Sequence, residues 1–287
     1  MSLFWPKYII ISPVKNEESY IELTIRSVIS QTVKPSAWVI VNDGSTDRTR
    51  EITEKYANEF SWIKLLNLPA SKRVRGGHVV KVFHKGFEHL QNEDYEYIVK
   101  LDGDVSFEKN FFERIFKFFI LNPRLGISSG ISHIIKNGRM IEEKSSKGHT
   151  LGASKVYKRD CFEEIGGLVE AMGWDGIDEI KARMNGWDAE PVPGLIVMHH
   201  RPEGKAHGFF NSGIQRGKGS YFMGYHPLFF MFRSAKCILK SPPDGLGMML
   251  GFFSSYIKKE ERINDREFID FLQKHQLRKL MLLKNKV

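Results

Sequence analysis

Apolar and polar positions alternate in blocks along the first half of the chain, short apolar runs giving way to longer amphipathic stretches. Lys7 to Val14 is a near-continuous apolar run that Pro13 closes, and it predicts a buried strand. From Asn16 to about Gln31 the pattern turns helical, with Ile21, Ile25, Val28 and Ile29 on one face and Pro35 as the break. Ala37 to Val41 predicts a second buried strand. Arg48 to about Asn58 follows as a helix with Thr46 or Asp47 as its cap. Trp62 to Leu68 reads as a third strand, and a helix through Val79, Val80, Phe83 and Phe87 comes next. Tyr95 to Lys100 reads as a fourth strand, and Phe107 to Leu121 as an aromatic-rich helix. Strands this uniformly apolar must be covered on both sides. The series predicts an α/β fold, a Rossmann-like, mostly parallel sheet with helices on both faces.

The second half is less regular. Gly126 to Ile135 and Arg139 to Glu142 predict a hairpin around Asn137-Gly138. Lys158 to Ile165 predicts a helix that stops at Gly166-Gly167. Asp175 opens another that Gly186 ends, and Pro193 to Arg201 predicts a final strand. Beyond it the pattern changes character. Phe209-Phe210, Tyr221-Phe222, Leu228 to Phe232 and Met248 to Phe253 are interleaved with Arg216, Lys218, Arg233, Lys236 and Lys240. Glu260 to Leu283 predicts a charged helix anchored by Ile263, Phe268, Phe271 and Leu272. The expected organisation is a domain at 1–204 and a basic, aromatic-rich helical extension at 205–287.

Charge sharpens that division. From Lys205 onward there are 15 Lys+Arg against 6 Asp+Glu. The whole chain has 43 against 34, so the first 204 residues balance at 28 against 28. The extension alone carries the net charge of +9. Such a segment suits an amphipathic face on an anionic membrane, or its aromatics pack on the body or a second subunit. No apolar run reaches the ~18 residues of a spanning helix, and no signal-peptide cleavage pattern is present. Cys161 and Cys237 are isolated, which fits a reducing compartment. The expected location is cytoplasmic, peripheral on the inner face of the membrane. A neutral body without a recognised motif excludes nucleic acid as the partner.

Chemistry gathers where the predicted strands end: Asn16 and Glu17 after the first, Asp43 after the second, Asp102 and Asp104 after the fourth. In parallel sheets, ligands bind beyond the strands' carboxyl ends. The glycine fingerprints of dinucleotide sites and phosphate loops are absent. Asp102-Gly103-Asp104 reads either as a turn or as a divalent site for a diphosphate, since hard carboxylate oxygens suit Mn²⁺ or Mg²⁺. Gly103 permits a turn that a Cβ would hinder.

Val14-Lys15-Asn16-Glu17-Glu18, Asn42 to Asp47, Leu101-Asp102-Gly103-Asp104, Gly166-Gly167 and the Trp174–Trp187 segment occur in that order. Over about residues 7 to 204 this set resembles the family 2 inverting glycosyltransferases of GT-A fold. The resemblance implies transfer of one sugar, with inversion, from a nucleoside-diphosphate sugar to an acceptor hydroxyl. The donor carrier would be UDP, ahead of GDP and dTDP. The acceptor would be a glycan or a lipid-linked molecule, in surface glycan or polysaccharide synthesis. It places Pro13, Glu17, Asp43 and Asp102 on the donor, with Asp43 reading the base, and Asp104 on the metal, with Asp102 near it. His199 takes the family's late histidine position, as metal or diphosphate ligand or as structural partner, and His200 is its alternate. Arg75 or Arg73 meets the diphosphate unless that loop is simply solvated. Asp175 takes the position of the catalytic base, with Asp178 second; Asp175 also reads as a helix cap, and Trp174 as an apolar wall. The Gln-x-x-Arg-Trp motif of processive members is missing, which implies single transfer. A non-catalytic GT-A-like module binding nucleotide or glycan is the other class.

Overall fold

The computed structural model describes residues 5–69, 77–143, 148–201 and 208–284. The chain divides into two compact units, 1–170 with 185–201, and 171–184 with 202–287. The segment 171–184, expected with the body, thus groups with the C-terminal helices.

The first unit carries β1 (Tyr8–Val14), α1 (Ile21–Ile29), β2 (Ala37–Asp43), α2 (Thr49–Glu59), β3 (Ile63–Leu68), α3 (Gly77–Glu88), β4 (Tyr97–Leu101) and β5 (Val105–Ser106). It continues with α4 (Phe111–Leu121), β6 (Leu125–Lys136), β7 (Arg139–Glu142), β8 (Ser154–Lys158) and α5 (Arg159–Glu164). After α6 (Trp174–Met184) of the other unit, β9 (Asp188–His199) completes the sheet.

The sheet runs β3-β2-β1-β4-β8-β6-β9-β5, with β7 paired to β6. β3, β2, β1 and β4 are mutually parallel, as expected. The rest is mixed: β8 is antiparallel to β4 and β6, β9 parallel to β6, and β5 antiparallel to β9. Helices cover both faces. Tyr8, alternating with its neighbours across the pleat, meets Phe112 and Phe116 of α4 on one face. On the other, Gly86 of α3 lies so close that a Cβ would fall 2.6 Å from methyls of both Ile11 and Val41. Coverage on both sides is why β1 and β2 read as unbroken apolar runs.

Two predicted elements shift. The helix expected from Asn16 starts at Ile21. Asn16 takes a left-handed φ of 54°, and its Oδ1 accepts the Thr46 amide at 2.9 Å. The Glu17 amide donates to Thr49 Oγ1 at 2.7 Å, so this stretch is spent joining the ends of β1 and β2. β9 begins at Asp188 rather than Pro193, through Pro191 and an irregular register against β6. β8 was not expected; Ser154 and Lys155 are fully buried in it, against the hydrophobic pattern.

The second unit holds α6, α7 (Gly208–Phe222), α8 (Pro227–Ile238), α9 (Pro242–Lys258) and α10 (Arg266–Lys284). α7 and α9 pack backbone to backbone. A Cβ at Gly217 would fall 2.2 Å from the Met248 carbonyl oxygen, and one at Gly251 2.1 Å from that of Ile214. Glycines one turn apart, Gly213 with Gly217 and Gly247 with Gly251, allow this approach. Arg216 of α7 pairs with the buried Asp244 of α9. Phe230 of α8 stacks on Phe252 of α9, centroids 4.1 Å apart. α10 starts after Asp265, whose Oδ1 accepts the Phe268 amide at 2.9 Å, so residues 260–265 lie outside it. Ile263, Phe268 and Leu272 are buried as expected, but Phe271 is exposed.

Candidate active site

The acidic set converges at the carboxyl ends of the parallel strands. Pro13 lies near the end of β1, beside Val41 in register. Glu17 follows β1, Asp43 ends β2, and Asp102 and Asp104 follow β4. Glu17, Asp43 and Asp104 are buried. Buried carboxylates persist only where cations or hydrogen bonds meet them, and each has such partners. Asp43 Oδ2 takes Lys15 Nζ at 3.3 Å and His78 Nε2 at 2.9 Å. Glu17 pairs with Arg201. Lys100, almost fully buried in β4, donates to Asp102 and, at 3.0 Å, to the Gly152 carbonyl.

Asp104 is placed by the sheet itself. Val105 of β5 pairs antiparallel with His199 of β9, and the His200 amide donates to the Asp104 carbonyl at 2.9 Å. That register sets His199 Nε2 3.7 Å from Asp104 Oδ1. Arg201 Nε lies 3.7 Å from Asp104 Oδ2. Burial pushes the Asp104 carboxyl above the ordinary carboxylate range, and the charge on Asp102 adds to this; His199, Arg201 and Lys100 pull the other way without cancelling it. Burial alone would lower the His199 imidazole. The hydrogen bond to Glu143, 3.1 Å from Nδ1, and the charges of Asp104, Glu143 and Asp102 outweigh it, and the net shift is upward. Ser132 Oγ holds Glu143 at 2.7 Å. The chain of carboxylate, imidazole and second carboxylate resembles the way proteins orient a metal-binding histidine.

Successive strand residues face opposite sides, so His200 does not share the site of His199. Its Nε2 lies 2.8 Å from Ser106 Oγ, and its ring stacks on Tyr20. Gly103 is required, though for packing rather than a left-handed backbone: a Cβ there would fall 2.9 Å from a Val14 methyl and 3.2 Å from Ile21. The expected Arg73 and Arg75 lie outside the described residues. Asp175 and Asp178 belong to α6, in the second unit. Asp175 is half-buried in the first turn. Asp178 is buried, and its Oδ1 accepts the Glu179 amide at 2.6 Å. Trp174 is buried.

Lys15, His78, Lys100, Glu143 and Arg201 were not singled out from the sequence. Lys100 had a signal, a lone cation inside an apolar strand next to two carboxylates. Arg201 had a weaker one, directly after His199-His200. Glu143 had none, since its meeting with His199 depends on how β6 pairs with β7 and β9. Among the described residues, no three His, Cys, Asp or Glu side chains group closely enough to hold a metal by themselves.

Residues 9–168 match the family model described as glycosyl transferase family 2, more than half of the chain, and the chain belongs to that family. It is 31% identical over 106 residues to the cholesterol galactosyltransferase of Borreliella burgdorferi, covering 35% of this chain and 26% of the relative. The first curated relatives are matched over only 26 to 40% of their own lengths. Among solved structures, the mannosyltransferase PcManGT from Pyrobaculum calidifontis in complex with GDP-Man and Mn²⁺ superposes with a TM-score of 0.57 at 17% identity. That match covers 94% of this chain and 74% of the other. S. aureus TarS 1-349 in complex with UDP-GlcNAc gives 0.56 at 17% identity, over 90% and 74%. At such identities the likeness shows the GT-A fold. Asp175, Asp178 and His199 lie beyond the segment matched by the family model.

Proposed function

We propose that this chain transfers one sugar, with inversion, from a nucleoside-diphosphate sugar to an acceptor hydroxyl of a glycan or lipid-linked molecule, in surface glycan or polysaccharide synthesis. The observation that carries the reading is the Asp104–His199 pair at the carboxyl end of the sheet, backed by Glu143 and joined by Asp43, Glu17 and Asp102. A carboxylate and an imidazole nitrogen suit Mn²⁺ or Mg²⁺, with oxygens of the donor's diphosphate completing the shell. Asp104 and His199 would hold the ion, with Asp102 beside them. Once bound, it supplies a Lewis acid that neutralises the leaving diphosphate.

The chain's own residues do the rest. Lys15 and His78 fix the Asp43 carboxylate, which accepts an N–H of the donor base. Glu17, held by Arg201, binds the nucleoside, and Pro13 shapes the loop before it. Lys100 and Arg201 keep the carboxylates in charge balance before the donor arrives. Asp175 takes the proton of the attacking hydroxyl, and Asp178 is second for that role.

UDP is the favoured carrier, although the similar structures are titled with both GDP-Man and UDP-GlcNAc. Thermal unfolding with UDP, GDP and dTDP, each with and without Mn²⁺, tests the reading. One nucleotide should raise Tm in a Mn²⁺-dependent way, by about 2.7 kcal/mol of stability at ~100 times its Kd. No shift with any nucleotide would favour a module that does not bind donor. Glu143→Gln should weaken the Mn²⁺ dependence of that shift by about 10–100-fold, with the free protein equally stable. An unchanged Mn²⁺ midpoint would remove Glu143 from the site.

A further inference from the structure

The C-terminal unit has an outer surface that its own packing does not explain. The inner faces of α8 and α9 meet through Phe230 and Phe252. On the opposite side of α8, Leu228, Met231, Phe232, Ala235 and Leu239 follow one another at helical spacing, and all are exposed. On the opposite side of α9, Leu246, Leu250 and Ile257 do the same. Leu239 is 87% exposed and Ile257 79%. A helix apolar on both faces normally has both covered. Here the inner faces are covered by the unit and the outer stripes are left to solvent on opposite sides of the pair; the longer stripe, on α8, is an apolar surface of the kind that marks an interaction site.

Charge decides what covers it. Residues 208–259 contain seven Lys and Arg but only one acid, Asp244. That acid is buried against Arg216 and so spent inside the unit. Lys236 and Lys240 are exposed one position after Ala235 and Leu239, along one flank of the α8 stripe. Pairing two copies through this surface would bring two net positive faces together. No helix among the described residues is long and apolar enough to cross a membrane, so the stripes call for a surface rather than a span. We infer that the outer stripe of α8, with Lys236 and Lys240, lies on an anionic lipid bilayer. Met231, Phe232 and Leu239 enter the acyl boundary, and the lysines stay at the headgroups.

The inference stands apart from the transferase reading, because it uses none of the carboxylates of the first unit. The test is co-sedimentation of the whole chain with vesicles of phosphatidylcholine alone, or of phosphatidylcholine mixed with phosphatidylglycerol. The protein should pellet with the mixed vesicles at low salt, stay in the supernatant with phosphatidylcholine, and be released by salt. Lys236→Gln with Lys240→Gln should weaken partitioning by about 25-fold, about fivefold for each basic residue near the surface. Phe232→Ser with Leu239→Ser should abolish it. Both double variants change exposed residues and should keep the parent Tm and its nucleotide response, which separates loss of this face from loss of the donor site. Recovery of the parent in the supernatant with mixed vesicles would overturn the inference. Equal binding to both vesicle types would overturn the role of the lysines. A dimer in light scattering that Leu239→Asp disperses, without vesicle binding, would assign the face to a second copy instead.

Discussion

Asp104→Asn is expected to lower kcat/KM by about 10³-fold, the several kcal/mol a Lewis-acid contact supplies, while leaving the free protein at least as stable as the parent. The stability half follows from burial. A carboxyl whose folded pKa is raised keeps its proton in the folded chain after the unfolded chain has lost it. Its ionisation therefore opposes folding, and the penalty grows as pH rises from the ordinary carboxylate range through the raised folded value. Asparagine keeps the shape and removes the charge, while Arg201 keeps Glu17 as its partner. Such residues mark sites where stability is given up for function. Kinetics with the responding nucleotide sugar, beside thermal unfolding of the free enzyme, checks both halves. Full activity of the variant would remove Asp104 from the metal. Lost activity with a collapsed Tm would make it a structural residue.

The part of the fold that was legible in the sequence is the part covered on two faces. β1, β2 and β4 carry apolar side chains on both faces over most of their length, because α3 packs on one side and α1 and α4 on the other. Their carboxyl ends were legible too, since the polar residues that stop an apolar run are the ones that face the ligand. The mixed half hid itself for physical reasons. β8 buries Ser154 and Lys155, so burial there did not follow hydrophobicity. The first part of β9 carries Pro191 and Pro193, which argue against a strand and are accommodated by an irregular register with β6. The start of α1 was missed because Asn16 and Glu17 spend their hydrogen bonds on the loop after β2.

The candidate site shows the same division. Asp43, Asp102, Asp104 and His199 were named from their positions along the chain. Apart from Lys100 beside Asp102, their partners came from pairing that crosses long stretches of sequence. His199 is 95 residues from Asp104, and only the β5–β9 register brings them together. Glu143 reaches His199 from the end of the β6–β7 hairpin. In the extension the aromatics were conspicuous, but the glycines decide the packing. Gly213, Gly217, Gly247 and Gly251 bury backbone against backbone, while Leu246, Leu250 and Ile257 of α9 face outward.

Asp175→Asn is expected to cost kcat about 10²–10⁴-fold, the usual worth of a positioned general base, and to leave donor binding unchanged. One feature of α6 favours Asp175 over its neighbours. It is half-buried in the first turn, whereas Asp178 and Glu179 are buried. Asp175 lies inside the first turn rather than at the cap, so asparagine there keeps the shape and loses only a favourable charge near the helix N-terminus, about 0.3–1 kcal/mol, and Asp175→Asn should stay close to the parent Tm. A fall in rate then reports the lost proton acceptor rather than a frayed helix. Asp178→Asn replaces a buried carboxylate and should lower Tm before it changes chemistry. The measurement is kcat for both variants with saturating donor and acceptor, beside the Mn²⁺-dependent nucleotide shift of each. Loss of turnover in Asp175→Asn with an unchanged nucleotide shift assigns it the base. Wild-type turnover in Asp175→Asn, with loss in an Asp178→Asn that keeps its Tm, would move the base one turn along the helix. Loss of the nucleotide shift in Asp175→Asn would place that carboxylate on the donor instead of on the acceptor's proton.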